Sequence, residues 1–317
     1  MKAFVTGVAG FVGSHLATAL LAEGREVVGI DAFTDYYPRE IKEANLAPFR
    51  GAPRFHFIEG ALQRTDLPRA LEGVSHVFHL AGQPGVRKSW GQDFSSYTAD
   101  NVEATQHLLE AVKGRAIERL VYASSSSVYG DDVAIPMRED ARVTPVSPYG
   151  VTKLAAEHLC HLYAVNYAVP TVSLRYFTVY GPRQRPDMAF HRFITAAFTD
   201  RPVVLYGDGA QTRDFTFVAD VVAATIAAGD RGRPGAVYNI GGGSRVSVND
   251  VLRLVERVTG RSLQVDRAPA QKGDMHDTFA DTSRARAEIG FAPTVALADG
   301  LAAEAAWLEP LLAASRR

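Results

Sequence analysis

The chain has 317 residues, 47% hydrophobic and 22% charged, with a formal net charge of −1. That is enough chain for one large domain or two coupled ones. It is too nearly neutral to draw in nucleic acid or an anionic membrane by overall charge, so an anionic ligand must be met by local groups. The single cysteine, Cys160, excludes an internal disulfide framework and suits a reducing compartment. No apolar run reaches the ~18 residues of a membrane span. MKAFVTG begins on a strand-like run with no charged leader before a long apolar stretch, so the expectation is a cytoplasmic protein.

Along the chain, KAFVTG reads as a strand and FVGSHLATALLAEG as an amphipathic helix closed by Gly24. EVVGID is a second strand, and FHFIEG, SHVFHLAG and RLVYASS are further short apolar runs. NVEATQHLLEAVKG and GVTKLAAEHLCHLYAVNYA read as helices, and TVSLRYFTVYG as another strand. Near-continuous apolar strands alternating with helices predict an α/β fold, a doubly wound parallel sheet covered on both faces. His158 and His161 share one face of a helix beside Cys160, with no carboxylate cluster nearby, so no metal site is expected. After about residue 174, Pro and Gly become denser (VYGPRQRPDM, LYGDGAQTRDF, NIGGGSRVS, RAPAQKGDM). This predicts a main domain over 1–173 and a smaller, loop-rich substrate lobe over 174–317. The division is discontinuous, with a segment near 214–240, including VYNIGG, returning to the sheet.

VTGVAGFVGSH places Gly7, Gly10 and Gly13 at the turn from the first strand into the first helix. Glycines there allow a tight turn and close approach of the backbone to a pyrophosphate, whose charge meets the helix N-terminus. A glycine triplet alone also fits an ordinary tight turn. The strand-to-helix position, and Asp31 at the end of the second strand, favour dinucleotide binding. A carboxylate there accepts hydrogen bonds from ribose hydroxyls and repels a 2′-phosphate, which favours NAD over NADP.

SPYGVTK holds Tyr149 and Lys153 at i and i+4, on one helix face. An ammonium beside a phenol lowers the phenol pKa and makes a base that works near neutral pH. The serine-rich strand end ASSSSVYG, residues 123–130, lies at a compatible position in the chain.

Together, GVAGFVG, ASSSSVYG and the Tyr149/Lys153 pair resemble the extended short-chain dehydrogenase/reductase superfamily, the NAD-dependent sugar epimerases and dehydratases. HLAGQPGVRKSWG, DAFTDYYPRE, LRYFTVYGPRQRPDMAFHRFI and YGDGAQTRDFTFVAD are most similar to the UDP-glucuronate 4-epimerases. The resemblance spans essentially the whole chain. It implies a Rossmann domain with bound NAD, a C-terminal lobe for a UDP-sugar, and a homodimer formed through a four-helix bundle. It implies cofactor contacts from Gly7, Gly10, Phe11, Val12, Gly13, Asp31, Leu80, Ala81, Tyr149 and Lys153. It makes Tyr149 the base, Lys153 its partner and Ser125 the hydroxyl beside them, with Asn101 in support. Arg213 would meet the diphosphate, with Arg185 and Asp274 for phosphate and uridine ribose. Arg87 is a second carboxylate or phosphate ligand, or a brace for its loop. Two positions depart from the pattern: Thr178 stands where many sugar epimerases have Asn, and Ala61 replaces an acidic residue near the adenine.

With a UDP-hexuronic acid as substrate, oxidation at C4 gives a β-keto acid. It loses carbon dioxide when the C5–carboxylate bond stands perpendicular to the carbonyl plane. Ser126, Ser127 and Thr178 offer neutral hydroxyls to hold the carboxylate out of that alignment. Hydrogen bonds to a charged group contribute ~1.5–3 kcal/mol each, enough to bias a conformer. Related dehydratases and decarboxylases carry an acidic residue just after the catalytic Ser/Thr, where this chain has serines. The function expected is therefore 4-epimerisation of UDP-glucuronate to UDP-galacturonate. The alternatives are UDP-glucuronate decarboxylation and, more remotely, a non-catalytic NAD-binding regulator. Backbone capping competes for Ser124 and Ser127.

Overall fold

The computed structural model describes residues 1–269 and 271–314. Seven strands form one parallel sheet: β1 (Lys2–Thr6), β2 (Glu26–Asp31), β3 (Phe55–Glu59), β4 (His76–His79), β5 (Arg119–Ser125), β6 (Thr171–Tyr176) and β7 (Val237–Ile240). Their spatial order is β7-β6-β5-β4-β1-β2-β3, so chain direction across the sheet reverses between β1 and β4. Ligands of such sheets sit at that switch point, beyond the carboxyl ends of the strands.

The period of two along each strand divides the core. Ala3 and Val5 of β1 and Val121 of β5 face a cluster with Leu16, Leu20, Val218 and Val222, from the helices Phe11–Ala22 and Val218–Arg231. Phe4, Leu120 and Tyr122 face the other way. They meet Leu108, Leu109, Ala156 and Cys160 from the helices Ala104–Val112 and Pro148–Tyr167. Strands buried on both faces need apolar residues at successive positions, which is why these runs are nearly continuous.

A third core lies in the C-terminal half, with Phe190, Phe193, Ile194, Phe215, Val251, Val255, Leu301 and Leu308. It unites the helices Ala189–Thr199, Val248–Thr259 and Leu297–Ala314. This half is more helical than its punctuation suggests. Gly260 and Gly290 are left-handed helix caps (φ 66° and 71°) that end helices. β7 joins the main sheet beside β6. No helix among the described residues is long and apolar enough to cross a membrane. His158 and His161 are exposed, and no group of three or more His, Cys, Asp or Glu among the described residues is placed to hold a metal.

Candidate active site

The loop after β1 turns on Gly7, at φ 68°, and its glycines leave space that side chains would fill. A Cβ on Gly13 would lie 2.1 Å from the Gly7 carbonyl oxygen, and one on Gly7 would lie 2.9 Å from the Ala81 nitrogen. The helix Phe11–Ala22 therefore starts directly against the strand end, its first amides facing a cleft. The cleft is lined by Gly7, Gly10, Phe11, Val12, Gly13, Asp31, Leu80 and Ala81, all named from the sequence, and also by Lys42, Gln63, Asp100 and Tyr36.

Asp31 is buried at the far end of the cleft. Its carboxylate accepts hydrogen bonds from the Ala9 N–H (3.1 Å) and the Phe33 N–H (2.9 Å). Phe33 adopts φ 48°, which a bulky residue takes up only when its surroundings impose it. The buried Lys42 ammonium stands 3.7 Å from Asp31 but donates to Thr34, at 3.0 Å to its carbonyl and 3.3 Å to its hydroxyl. Burial lowers the Lys42 pKa, with Asp31 the first of the charges opposing that. Ala61 lines the same end, where the polar neighbours are Gln63 and Asp100. The cradle that a Cβ would fill and the buried carboxylate at the end of β2 fit a dinucleotide.

A second cavity opens from the first and shares Phe11, Val12, Leu80, Gly82, Pro84 and Arg185 with it. It brings together Asn101, Ser125, Ser126, Ser127, Tyr149, Lys153, Thr178 and Arg185. Among the described residues, no aspartate or glutamate lines it. Ser147 caps the Tyr149 helix by accepting the Gly150 N–H, and Pro148 occupies the first turn. Tyr149 and Lys153 thus leave the helix start toward the end of β5.

Burial pushes the Tyr149 phenol above its ordinary pKa, against a hydrogen bond from Ser125 and the charge of Arg185. Lys153 was expected to lower this phenol; burial is the largest influence on it, and the groups that oppose burial are Ser125 and Arg185. Ser125 Oγ accepts the Ser127 N–H (3.1 Å), which leaves its hydroxyl proton for the phenol. Lys153 is buried over the face of Tyr122, with Nζ 4.5 Å from the ring centroid, and burial lowers its pKa to about 8. Asn101 braces this wall. Its amide donates to the Gln83 carbonyl (3.1 Å) and the Thr152 hydroxyl (2.9 Å), and its oxygen accepts the Gln83 N–H (2.7 Å).

The four serines divide by task. Ser124 is no backbone cap: it donates to Glu157 Oε2 at 2.6 Å. Glu157 is the buried partner of Arg175, paired at 2.6 and 3.1 Å. This ion pair ties the Tyr149 helix to β6, opposite Ser124 in register. Glu157 was missed, although its i+4 spacing from Lys153 put it on the same face. Ser126 and Ser127 stay on the cavity wall.

Arg185 pairs with Asp187 through two bonds, 3.0 and 3.1 Å, and Asp187 also accepts from the Tyr36 hydroxyl (3.3 Å). Tyr36 lies against Gly85, where a Cβ would come within 2.1 Å of its hydroxyl. The DAFTDYYPRE segment thus closes over the junction of the two cavities. Arg87, Arg213 and Asp274 form a separate group that lines neither cavity. Arg87 donates to Asp274 at 2.7 and 3.2 Å and stacks over Tyr206 at 4.2 Å. Arg213 donates to the carbonyls of Thr212 and His276 at 2.9 and 3.0 Å.

A parallel sheet with a glycine cradle at its switch point and a Ser–Tyr–Lys wall beside it defines a nucleotide-dependent oxidoreductase-type site. The chain matches the NAD dependent epimerase/dehydratase family over residues 3–241, and it belongs to that family. It is 45% identical to the uncharacterized UDP-glucose epimerase YtcB of Bacillus subtilis, over 98% of this chain and 99% of that protein. It is 36% identical to a probable UDP-glucuronate 4-epimerase of Rhizobium meliloti, over 98% and 97%. The crystal structure of UDP-glucuronic acid 4-epimerase from Bacillus cereus, in complex with UDP-glucuronic acid and NAD, superposes with a TM-score of 0.95. It is 45% identical over 98% of this chain and all of that one.

Proposed function

We propose that this chain is an NAD-dependent UDP-glucuronate 4-epimerase that forms UDP-galacturonate through a transient 4-keto sugar. One observation carries the reading. Three neutral hydroxyls, on Ser126, Ser127 and Thr178, share a cavity with Tyr149 and Lys153, and among the described residues that cavity holds no carboxylate. An acidic residue there would repel a uronate and could protonate or deprotonate at C5; hydroxyls hold it without doing either.

NAD, held by Gly7, Gly10, Phe11, Val12, Gly13, Asp31, Leu80 and Ala81, supplies a hydride acceptor and a positive charge. Tyr149 takes the proton from O4 and returns it after the ring has turned over. Ser125 donates to the phenolate form, and Lys153, charged below about pH 8, stabilises it electrostatically. Ser126, Ser127 and Thr178 grip the carboxylate and keep the C5 bond out of the alignment that would release carbon dioxide. Arg185 is the cavity's second cation and serves the diphosphate; Arg213 and Asp274 complete the nucleotide site from the C-terminal lobe. Residues 1–173, with a return near 214–240, form the cofactor domain in this reading, and 174–317 mainly the UDP-sugar lobe.

The exposed side chains Val151, Leu162, Val165 and Tyr167 run along the helix Pro148–Tyr167, with Phe94 nearby on the preceding helices. They support a homodimer through these helices. In this reading the protein works in the cytoplasm without nucleic-acid or membrane partners. The test is incubation with UDP-glucuronate and catalytic NAD, with proton NMR of the nucleotide sugar and a carbon dioxide assay. UDP-galacturonate without carbon dioxide is expected. A UDP-pentose with stoichiometric carbon dioxide would replace epimerisation by decarboxylation. Bound NAD without turnover would make the protein a regulator.

A further inference from the structure

Beneath the floor of both cavities runs a buried chain of side chains that the reaction above does not use. Thr6 ends β1, immediately before Gly7. Its Oγ1 accepts the N–H groups of Leu80 (3.1 Å) and Ala81 (3.0 Å) and lies 2.8 Å from His79 Nδ1. His79 Nε2 lies 2.9 Å from Thr105 Oγ1, and the Thr105 hydroxyl donates to the Asn101 carbonyl at 2.6 Å. Thr6, His79, Asn101 and Thr105 are all buried.

Donor accounting fixes every proton in this chain. A threonine hydroxyl has one proton and two lone pairs. Both lone pairs of Thr6 are used by the two amides, so its proton goes to His79 Nδ1. The His79 proton must then sit on Nε2 and be donated to Thr105, whose own proton goes to the Asn101 carbonyl. Burial and the nearby charge of Lys153 hold the imidazole neutral, with its pKa lowered to about 3. Asn101 lies in a widened π-helical turn, Thr98–Glu103, a distortion that often marks functional sites. Its side chain holds the Gln83 peptide and Thr152, and Thr152 in turn donates to the Tyr149 carbonyl at 2.9 Å. Gly82 leaves the room: a Cβ there would come within 2.6 Å of Asn101 Oδ1.

We infer that His79, locked as the neutral Nε2–H tautomer, is a positioning residue that couples the glycine-loop end of β1 to the Tyr149 helix through Thr105 and Asn101. It touches neither cavity. It sets the register between the two elements that must hold cofactor and base in one geometry, where a 1 Å misplacement costs on the order of 100-fold in rate.

Thr105 is the link to cut, because Thr105→Val is isosteric and Thr105→Ser keeps the hydroxyl. The kinetic arm rests on the epimerase reading; the spectroscopic arm does not. With UDP-glucuronate, Thr105→Val should lower kcat about 10-fold to 100-fold, leave KM within about twofold and leave bound NAD unchanged, while Thr105→Ser stays near the parent. In 15N-labelled holoenzyme, His79 should show the neutral Nε2–H tautomer from about pH 5 to about pH 8. The Asn101 side-chain amide should be exchange-protected in the parent and in Thr105→Ser but not in Thr105→Val. An Nδ1–H tautomer, a titrating His79, or equal Asn101 protection in the two variants would overturn the inference. Equal kcat in the two variants would also overturn it. A parent that turns over no UDP-glucuronate but shows the predicted tautomer and protection would fail the epimerase reading and leave the coupling standing.

Discussion

The two cavities share a wall but are specified in opposite ways. The cofactor cleft is made of backbone and absent side chains: Gly7 and Gly13 leave no room for a Cβ, and Asp31 is held by two main-chain amides. The hydroxyl cavity is made of side chains from the ends of β5 and β6 and from the Tyr149 helix. A pyrophosphate is the same in every dinucleotide, so a rigid main-chain cradle suits it. A uronate must be held in one conformer and then released to turn over, so several moderate, replaceable contacts suit it better. Substitutions in the cleft should therefore fail outright, while those in the hydroxyl cavity should be graded.

Tyr149→Phe is the largest expected effect and the one exception on the graded side. It removes the proton-transfer group and should lower kcat by about 100-fold to 10,000-fold, with NAD content and melting temperature unchanged. Loss of NAD together with activity would mean that the phenol belongs to the cleft, and the contrast would dissolve. Gly13→Ala comes next. Its methyl would sit 2.1 Å from a carbonyl oxygen that cannot move without shifting β1. NAD retained per protein should fall at least about tenfold, and stability should drop by about 1–3 kcal/mol. Full NAD occupancy in that variant would show that the cradle is not rigid.

The same contrast explains what was legible in the sequence. The cleft was readable because backbone recognition writes itself into spacing: Gly7, Gly10, Gly13 and Asp31 line it as expected. The Tyr149–Lys153 pair was readable from helix periodicity, and Ser125, Ser126, Ser127 and Thr178 do meet it at one cavity. What brings residues together across the fold left no local trace. Ser124 points to Glu157 and Arg175, 33 and 51 positions away, so nothing in ASSSS separates it from its neighbours. Lys42 reaches Asp31 from a helix whose pattern does not announce it. Arg185 sets the phenol's environment jointly with Ser125, a relation between a loop and a strand end that only the folded chain displays.

Ser127→Ala tests the graded side at moderate cost. It removes one hydroxyl from the carboxylate grip, which for a bond to a charged group is worth ~1.5–3 kcal/mol. The expected result is a kcat lower by about tenfold to 100-fold, with NAD binding intact. A measurable share of turnovers should end in carbon dioxide, read by coupled assay against UDP-galacturonate formed. Slower epimerisation with no carbon dioxide at all would mean that the hydroxyl orients the sugar without guarding the carboxylate.

The smallest effect separates the two cavities by pH. Glu304 is fully buried on the helix Leu297–Ala314. One oxygen accepts the Gly181 N–H at 2.8 Å and the other has no partner among the described residues. Burial raises its pKa from 4.5 to about 8. It underpins the strand Val179–Tyr180, next to Thr178, whose carbonyl accepts the Thr216 N–H at 2.9 Å. The folded state therefore holds a proton that the unfolded chain releases at lower pH. The resulting stability is fully present below the unfolded value and is lost as pH rises toward about 8. Glu304→Gln keeps the site neutral at every pH, so its melting temperature should match the parent's at acidic pH and exceed it near pH 8, by the equivalent of about 1–3 kcal/mol for one uncompensated buried group. NAD retention, which depends on the cleft beyond the ends of β1 and β2, should follow the same pH curve in both proteins. Parallel stability curves would assign the proton to another group, and a difference in NAD retention would show that the cleft and the hydroxyl cavity are not independently held.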